Sequence, residues 1–346
     1  MRTVRRNWRL PEATEVLAGR LRWQARGCHA LGSPFYTRLL ECAAEDLEGG
    51  GPTRDLLSGF ETEDRGSAIA LRFLAPIHRM VLAGEAPELD RHYPSTGGDG
   101  DADVAWPLFR DFAGARTEWM RNELRRPCQT NEVGRSAALL GGFLEVAHRS
   151  RKPLRILEIG ASAGLNLRWD HYFYQSTSGA WGDDSSPVQF VHSFDVAPPM
   201  ERAADVVERS GCDLNPIDPT SDEGALMLRS FVWADQLARL SQLDGAIEVA
   251  RAVPVKVERM GAADFLEREL AEPREDVATV VYHSVFMQYV ADPEQRRIAA
   301  AIAEADVFYL RMEPAYPLFE VRLGDELLGT SHAHGTHVRW TVDSSS

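Results

Sequence analysis

The chain has 346 residues, about twice the length of a typical domain, so two packed units are expected. Its formal net charge of −14 argues against a nucleic-acid-binding surface, because binding to the phosphate backbone needs clustered Lys and Arg. With 44% apolar and 26% charged residues, the composition is that of a globular protein and excludes a disordered one.

No stretch of about 18 apolar residues predicts a membrane span, and no apolar segment follows the basic residues 1–9 as it would in a signal peptide. The four cysteines are widely spaced and form no Cys-x-x-Cys pair. These features favour a soluble protein of the reducing cytoplasm, without nucleic-acid or membrane partners. They leave its oligomeric state open.

The first 150 residues are predicted to form a helical domain that acts as a lid or substrate platform. Apolar residues recur at helical spacing over residues 11–83, and two further helices are predicted over 108–125 and 131–149. Residues 94–103 are rich in turn formers and acids, which predicts a solvated loop.

Residues 151–346 are predicted to form a Rossmann-like α/β domain. Residues 154–159 are a short apolar run closed by a glycine cluster, as in a buried parallel strand. Similar runs at 253–257, 277–282 and 307–310 alternate with helical stretches at 226–250, 263–270 and 294–303. This alternation predicts a parallel sheet, and residues 319–323 with 337–340 predict a terminal antiparallel β-hairpin on it.

The first predicted strand leads into a glycine-containing loop. Glu158 stands near the carboxyl end of the strand, and Gly160, Ser162 and Gly164 follow at alternate positions before a predicted helix. Glycines allow the backbone to turn and approach a ligand, while the amide groups of the next helix can face it. The segment, which runs on to Asn166, is therefore predicted to bind a nucleotide-type cofactor.

This loop resembles motif I of the class I methyltransferases, Asp/Glu-x-Gly-x-Gly-x-Gly, with Ser162 in place of the middle glycine. Residues 211–216 resemble the end of the second strand in that family, so the resemblance implies that Asp213 binds the ribose of S-adenosylmethionine. A long insertion separates Asp213 from the loop and leaves Asp195 as the alternative acid. Asp264, the expected adenine partner, does not directly follow the third strand as the family pattern requires.

Over nearly its whole length, the chain resembles an uncharacterised bacterial family, domain of unknown function 2332, which is thought to be methyltransferase-like. The resemblance is carried by QTNEVGRS at 129–136, EIGASAGLN at 158–166, DLNPID at 213–218, WADQ at 233–236 and YHS at 282–284. It implies a class I methyltransferase sheet and S-adenosylmethionine as the cofactor, but no particular reaction. The acidic chain favours a small-molecule acceptor over RNA or DNA.

His283 and Tyr289, which follow the predicted strand 277–282, are candidate catalytic residues. His283 lies at the carboxyl end of an apolar strand, where open α/β sheets bind their ligands, and is predicted to be a general base. Tyr289 is predicted to line the same pocket. The alternatives are a core histidine with satisfied hydrogen bonds and a tyrosine buried by an amphipathic helix.

Gln129, Asn131, Glu132 and Arg135 place two amides, an acid and a guanidinium near a predicted helix start. This cluster of polar side chains is predicted to bind the acceptor substrate, with Glu132 needed for turnover. The alternative is a helix cap with a salt bridge that ties the helical domain to the sheet.

The sequence also admits other functions for the glycine loop. Gly160-x-Ser162-x-Gly164 fits the nucleophile elbow of α/β-hydrolases, with a triad completed by Asp292 or Asp306 and by His332 or His334. An elbow normally follows several strands, whereas this loop follows the first. A packing turn without a ligand, a binding protein without chemistry and a pocket for a different nucleotide are further alternatives.

His332, His334 and His337 form His-x-His-x-x-His near the carboxyl terminus. Because alternate residues of a strand point to one side, His332 and His334 could share a metal ion. No carboxylate or cysteine lies nearby in the sequence, and we favour a polar loop at the sheet edge with no metal. Trp233 with Asp235 is expected to provide helix packing and surface, with stacking of the indole on adenine as the alternative.

Overall fold

The computed structural model describes residues 12–63 and 65–342. The basic stretch 1–9 and Pro11, the first residue of the predicted helical region, lie outside the described residues. The chain divides into two compact units. The first comprises residues up to 129 together with 229–237, and the second comprises 130–228 and residues from 238 onward.

The first unit is helical. Its helices are α1 (Ala13–Ala30), α2 (Pro34–Glu48), α3 (Pro52–Leu57), α4 (Ile69–Leu82), α5 (Pro87–Asp90), α6 (Ala102–Gly114) and α7 (Thr117–Glu123). Leu17 and Leu21 of α1 are one turn apart and are buried in one apolar cluster with Leu39 and Leu40 of α2. The helical spacing of apolar residues therefore marks the core of this unit.

Residues 229–237 belong to the first unit. The Asp235 carboxylate accepts hydrogen bonds from Ser33 Oγ (2.5 Å) and from the backbone N–H of Phe35 (2.9 Å). It therefore caps the amino-terminal end of α2, because the first N–H groups of a helix have no partner within the helix itself. Trp233 packs in the apolar cluster of this unit, as expected, whereas Asp235 is a helix cap more than a surface residue.

The second unit has an α/β fold. Its helices are α8 (Arg135–Ser150), α9 (Asp222–Phe231, whose last turn falls in the first unit), α10 (Leu237–Ala252), α11 (Ala262–Glu269) and α12 (Asp292–Glu304). Its strands are β1 (Leu154–Ile159), β2 (Phe173–Ser176), β3 (Gly179–Trp181), β4 (Gln189–Phe190), β5 (Phe194–Val196), β6 (Val206–Asp213), β7 (Lys256–Arg259), β8 (Ala278–Ser284), β9 (Phe308–Ala315), β10 (Leu318–Leu323), β11 (Glu326–Ser331) and β12 (Val338–Trp340).

Among the described residues, nine strands form one mostly parallel sheet in the order β5-β12-β11-β10-β9-β8-β1-β6-β7, and β3-β2-β4 form a small second sheet. Strands β7, β6, β1, β8 and β9 are parallel neighbours. From β1 the chain builds outward through β6 and β7 on one side and then through β8 and β9 on the other. The order of the strands therefore reverses next to β1.

Helices cover both faces of this sheet. Helix α8 packs against β8 to β12. On the opposite face, Leu157 of β1 and Val281 of β8 share an apolar cluster with Phe265 of α11 and Ile298 of α12. Because α8 contacts the sheet so extensively, the second unit begins at Thr130, about 20 residues before the boundary expected from the sequence.

Several elements differ from the predicted pattern. Helix α8 begins at Arg135 and not at Asn131, and the helical stretch 226–250 is divided between α9 and α10. Strand β10 pairs with β11, so residues 337–340 are not its hairpin partner. Strand β11 was missed because its sequence, ELLGTS, contains a glycine and polar residues and forms neither a continuous apolar run nor an alternating pattern.

Within the described residues, no helix combines the length and the apolar character needed to cross a bilayer.

Close packing of α8 against the sheet can be tested at Gly141. A Cβ at this position would collide with the indole ring of Trp340 and lie 2.8 Å from Cβ of Pro198. We expect Gly141→Ala to lower the free energy of unfolding by about 1–3 kcal/mol, as overpacking does. Gly19→Ala is the control, since a Cβ on that α1 glycine meets nothing within 4 Å and should stabilise the helix. Thermal and urea unfolding give both values, and equal effects would contradict the packing.

Candidate functional site

The loop after β1 is a tight turn. Gly160, Ser162 and Gly164 all have positive φ, at 70°, 53° and 66°. The backbone N–H of Ala161 donates to the carbonyl of Cys212, near the carboxyl end of β6, at 2.9 Å. The predicted strand-to-loop transition is therefore present, and the loop is fixed to the neighbouring strand.

The α-helix predicted after this loop is absent. A 3-10 helix, Asn166–His171, takes its place and is interrupted by the non-helical φ/ψ of Arg168. The Arg168 guanidinium is buried and donates to the carbonyls of Gly164 (2.7 Å) and Val253 (2.8 Å). Since the Gly164 carbonyl is occupied by this side chain and by Leu167 N–H (3.2 Å), a regular α-helical hydrogen bond does not form there.

Asp213 lies beside the loop, where parallel strands bring their carboxyl ends together. Its carboxylate accepts hydrogen bonds from the backbone N–H groups of Ser162 (3.0 Å) and Asn215 (2.8 Å). The alternative acid, Asp195, lies on β5 at the opposite edge of the nine-stranded sheet and accepts a hydrogen bond from His337 Nδ1 (3.2 Å). The structure therefore separates Asp195 from the loop and leaves Asp213 as the acid beside it.

Glu158 is buried beneath the loop. The hydroxyl of Tyr282 donates to Glu158 Oε2 at 3.1 Å, and the ring of Tyr282 packs edge-on against Phe143 of α8. Burial raises the pKa of Glu158 to about 8. At neutral pH this carboxyl group therefore carries a proton and can itself donate a hydrogen bond.

Phe286 lies over Gly160. A Cβ on Gly160 would collide with the Phe286 ring. The turn that carries this ring is held by Glu313 of β9, because Glu313 Oε1 accepts hydrogen bonds from the backbone N–H groups of Phe286 (2.8 Å) and Met287 (3.1 Å). Glu313 thus positions an aromatic ring against the glycine loop.

His283 also binds Glu313 and has no exposed surface. Its Nδ1 lies 2.8 Å from Glu313 Oε1 and its Nε2 lies 2.7 Å from the Tyr309 hydroxyl, so both ring nitrogens have protein partners. Burial raises the pKa of Glu313, but His283 and the backbone N–H groups of Phe286 and Met287 together hold it below its usual value. Because the side chains of adjacent strand residues point to opposite faces, His283 and Tyr282 lie on different sides of the sheet. The structure therefore separates His283 from the Glu158 side of the site.

Glu132 forms a buried ion pair with Arg239 of α10. Both Arg239 Nε (2.9 Å) and Nη2 donate to Glu132 Oε2, and Glu132 Oε1 accepts from the Gly134 N–H (3.3 Å). Burial raises the pKa of Glu132, but Arg239 and the neighbouring His334 lower it to about 2. Glu132 is therefore ionised and paired with Arg239.

Arg135 binds two carbonyl groups from distant parts of the chain. It donates to Ser284 O at the end of β8 (3.1 Å) and to Ala333 O in the turn after β11 (3.2 Å). Burial lowers the pKa of Arg135, and the charge of Glu132 and the nearby Tyr289 oppose this effect. Tyr289 is 56% exposed in the 3-10 turn Met287–Tyr289, so it is not the buried tyrosine of an amphipathic helix.

Two asparagine side chains, those of Asn131 and Asn166, form hydrogen bonds in and around the glycine loop. Asn131 Oδ1 accepts a hydrogen bond from the N–H of Leu165 (2.9 Å). Asn166 accepts from Ser136 Oγ (2.7 Å) and donates to the Glu132 carbonyl (3.3 Å). Thus Asn131, Glu132, Arg135 and Asn166 are brought together, while Gln129 is the last residue of the first unit before the chain enters the second.

The histidines near the carboxyl terminus follow β11 in a turn and not in a strand. The rings of His332 and His337 lie 4.6 Å apart, and burial lowers the pKa of His334 to about 3. The backbone of this turn approaches Gly134 so closely that a Cβ on Gly335 would collide with the Gly134 carbonyl. In the described part of the chain, no group of three or more His, Cys, Asp or Glu residues is arranged to hold a metal ion.

Two further sequence candidates lie away from the loop. Asp264, the suggested adenine partner, is on α11 and pairs with Arg297 of α12 at 2.6 Å on the surface. Asp306 precedes β9 and is therefore at the amino end of the parallel strands, whereas Ser162 follows the carboxyl end of β1. Asp306 thus lies at the wrong end of the sheet for a triad with Ser162.

Sequence reasoning missed Arg239, Glu313 and Phe286. Arg239 lies outside the motifs that the sequence revealed. Glu313 could have been detected as a charged residue within a strand, because an ionisable side chain in a covered strand needs a partner. Phe286 was indistinguishable from a core residue.

The chain belongs to a bacterial family described as "Uncharacterized protein conserved in bacteria (DUF2332)", whose model matches residues 18–341. No curated protein and no solved structure matched the chain. The family resemblance seen in the sequence is therefore confirmed, and it assigns no activity.

The Glu132–Arg239 pair should be important for stability. We expect Glu132→Gln to lower the free energy of unfolding by about 3–5 kcal/mol at pH 7, because Arg239 would remain buried without its partner charge. Glu267→Gln is a control from an exposed ion pair with Arg297 and should change little. Since the pKa of Glu132 is lowered, the difference should be full above about pH 4.5 and should shrink as the pH falls towards 2. Urea unfolding at pH 7 and pH 3 measures it, and a constant difference would contradict the pairing.

Glu158 should have the opposite effect in a different pH range. Its raised pKa means that the unfolded chain loses this proton near pH 4.5, whereas the folded protein loses it only near pH 8. Glu158 should therefore reduce stability progressively as the pH rises through this window, by roughly 2–5 kcal/mol. Between pH 5 and pH 8.5 the unfolding midpoint of wild type should fall more than that of Glu158→Gln, so its slope against pH should be steeper. Parallel slopes would show that Glu158 ionises normally.

Proposed function

We propose that this protein is an S-adenosylmethionine-dependent methyltransferase that acts on a small-molecule acceptor. The observation that carries the proposal is the contact between Asp213 and the backbone N–H of Ser162 at 3.0 Å. It places an acid beside the glycine loop at the point where the strand order reverses, which is where open α/β sheets bind ligands.

The sheet supports this assignment. In sequence order, the parallel strands β7, β6, β1, β8 and β9 have the arrangement 3-2-1-4-5, and antiparallel strands follow β9. The resemblance to class I methyltransferases implies this kind of Rossmann-like sheet, with the cofactor at the carboxyl ends of the first strands. Asp213 is the proposed ribose partner, since each carboxylate oxygen retains a lone pair after binding one backbone N–H.

The bonding of the loop favours a cofactor without phosphate groups. A pyrophosphate is bound by free N–H groups at the start of an α-helix. Here the N–H groups of Ser162, Gly164 and Leu165 are bonded to Asp213, the Ala161 carbonyl and Asn131, and no α-helix follows. This argues against a dinucleotide in the same place and is compatible with the uncharged linkage between ribose and sulfonium.

The proposed roles of the predicted residues follow from their contacts. Glu158 would hold the methionine amino group indirectly, and a nearby ammonium would favour its ionised form. Asn131, Glu132 and Arg135 make their contacts with the loop and its surroundings inside the second unit. The role of this cluster in binding the acceptor stays a prediction. The bound cofactor would supply an electrophilic methyl group, and the chain would contribute orientation and exclusion of water. His283 stays the proposed base and Tyr289 a proposed catalytic residue that lines the pocket, with Tyr289 the more accessible of the two.

The cofactor can be tested by thermal shift. Saturating S-adenosylmethionine or S-adenosylhomocysteine should raise the melting temperature, and NAD and ATP should not, because a ligand that binds only the folded state stabilises it. Gly160→Ala should abolish the shift through its collision with Phe286, which distorts the loop. Gly324→Ala is the matched control, since Gly324 also has positive φ, at 55°, but has nothing within 4 Å of a Cβ. A wild-type protein that shows no shift at millimolar ligand would refute the cofactor.

The ribose partner can be tested by calorimetric titration. Asp213→Asn should weaken S-adenosylhomocysteine binding by about 1–3 kcal/mol, as loss of charge-assisted hydrogen bonds does. Asp195→Asn is the control, because Asp195 lies at the far edge of the same sheet. Equal affinities for wild type and Asp213→Asn would remove this role from Asp213. Melting curves of both variants without ligand show whether the loop has kept its fold.

A further inference from the structure

The helical first unit contains a serine and a histidine in hydrogen-bond contact that none of the features above explains. Ser95 Oγ lies 2.8 Å from His78 Nε2. His78 is on α4 and has no exposed surface, whereas Ser95 is partly exposed on the 3-10 turn Pro94–Thr96. A serine that is partly exposed therefore contacts a buried imidazole.

The surroundings of His78 fix which nitrogen carries the proton. Its Nδ1 lies 3.1 Å from the carbonyl oxygen of Ser230 and 3.2 Å from the Tyr36 hydroxyl. A carbonyl oxygen can only accept, so Nδ1 carries the hydrogen and donates it. Nε2 must then be the acceptor for the Ser95 hydroxyl. Burial lowers the pKa of His78 to about 4, which keeps the imidazole neutral at neutral pH.

Aromatic packing holds the imidazole in this orientation. Its ring lies 5.6 Å from that of Tyr93 and 6.3 Å from that of Tyr36, both of which are buried. The base is thus oriented by a third group and cannot turn away from the serine. A nucleophile in contact with a base that is itself oriented by a third group is the arrangement that activates serine in covalent catalysis.

We propose that Ser95 is a nucleophile activated by His78, and that it accepts an acyl group from an activated ester. Ser95 Oγ would form a bond to the carbonyl carbon while His78 Nε2 takes the hydroxyl proton. The bond from the carbonyl carbon to the ester oxygen would then break, and the proton on Nε2 would pass to the departing alcohol. Water would release the acid from Ser95 by the same two proton transfers. This reaction is independent of the proposed methyl transfer, since the residues that form the arrangement all belong to the first unit: Ser95, His78, Ser230, Tyr36 and Tyr93.

The first test is labelling with a fluorophosphonate, in which Ser95 Oγ displaces fluoride from phosphorus. Peptide mapping of the folded full-length protein should find the label on Ser95, and Ser95→Ala should abolish it. Thr96→Ala is the matched control and should keep the label, because the Thr96 hydroxyl donates to the backbone carbonyls of Tyr93 (3.0 Å) and Asp90 (3.2 Å). A label found only on Ser162, or no label, would overturn the proposal.

The second test concerns the base. His78→Gln should slow labelling by about 100-fold or more, as loss of general-base catalysis does. Because His78 is buried and this variant could fail to fold, wild type is also labelled in urea, where the pair is separated and labelling of Ser95 should be lost. Folded wild type should release one equivalent of p-nitrophenolate from p-nitrophenyl acetate in a burst that Ser95→Ala lacks. Equal labelling of Ser95 in folded and unfolded protein, or a burst that survives in Ser95→Ala, would refute the mechanism.

Discussion

Burial of the Glu132 carboxylate would cost several kcal/mol without an opposite charge, and Arg239 of α10 supplies that charge. The pair fixes the short segment before α8, and this segment in turn supports the glycine loop. Asn131 binds the N–H of Leu165, and the Glu132 carbonyl binds the side chain of Asn166. Three parts of the chain that are far apart in sequence therefore meet around one buried ion pair, and the loop after β1 takes its shape from them.

The sequence allowed the α/β class to be predicted because buried parallel strands such as β1 and β8 are continuous apolar runs. It did not reveal β11, whose residues lack such a run, or the 3-10 helix that replaces the expected α-helix. The latter depends on Arg168, which reaches the carbonyls of Gly164 and Val253. A long side chain that competes for backbone carbonyls cannot be recognised from local periodicity.

In the candidate site, too, local sequence predicted some features, whereas others depend on distant parts of the chain. Asp213 was singled out because residues 211–216 resemble the end of the second strand in class I methyltransferases, and the structure shows its carboxylate bonded to the backbone N–H of Ser162. The place of Asp195 depends on the pairing of β5 with β12, which local sequence does not specify. The partner of Glu132 likewise could not be predicted from local sequence, since Arg239 lies 107 residues away in the chain. Motif reasoning located the loop and two of the side chains that bind its backbone, Asn131 and Asp213, but not Arg168 or Arg239.

Residues 229–237 come late in the chain but belong to the helical unit, and this affects the order in which the protein folds during synthesis. During synthesis, amino-terminal domains generally fold first as they leave the ribosome. Here the carboxylate that caps α2 and the indole of Trp233 in the helical core come from a segment made about 100 residues after α7. The ribosome must therefore deliver much of the second unit before the first can complete its core, so the two units mature together and not in succession.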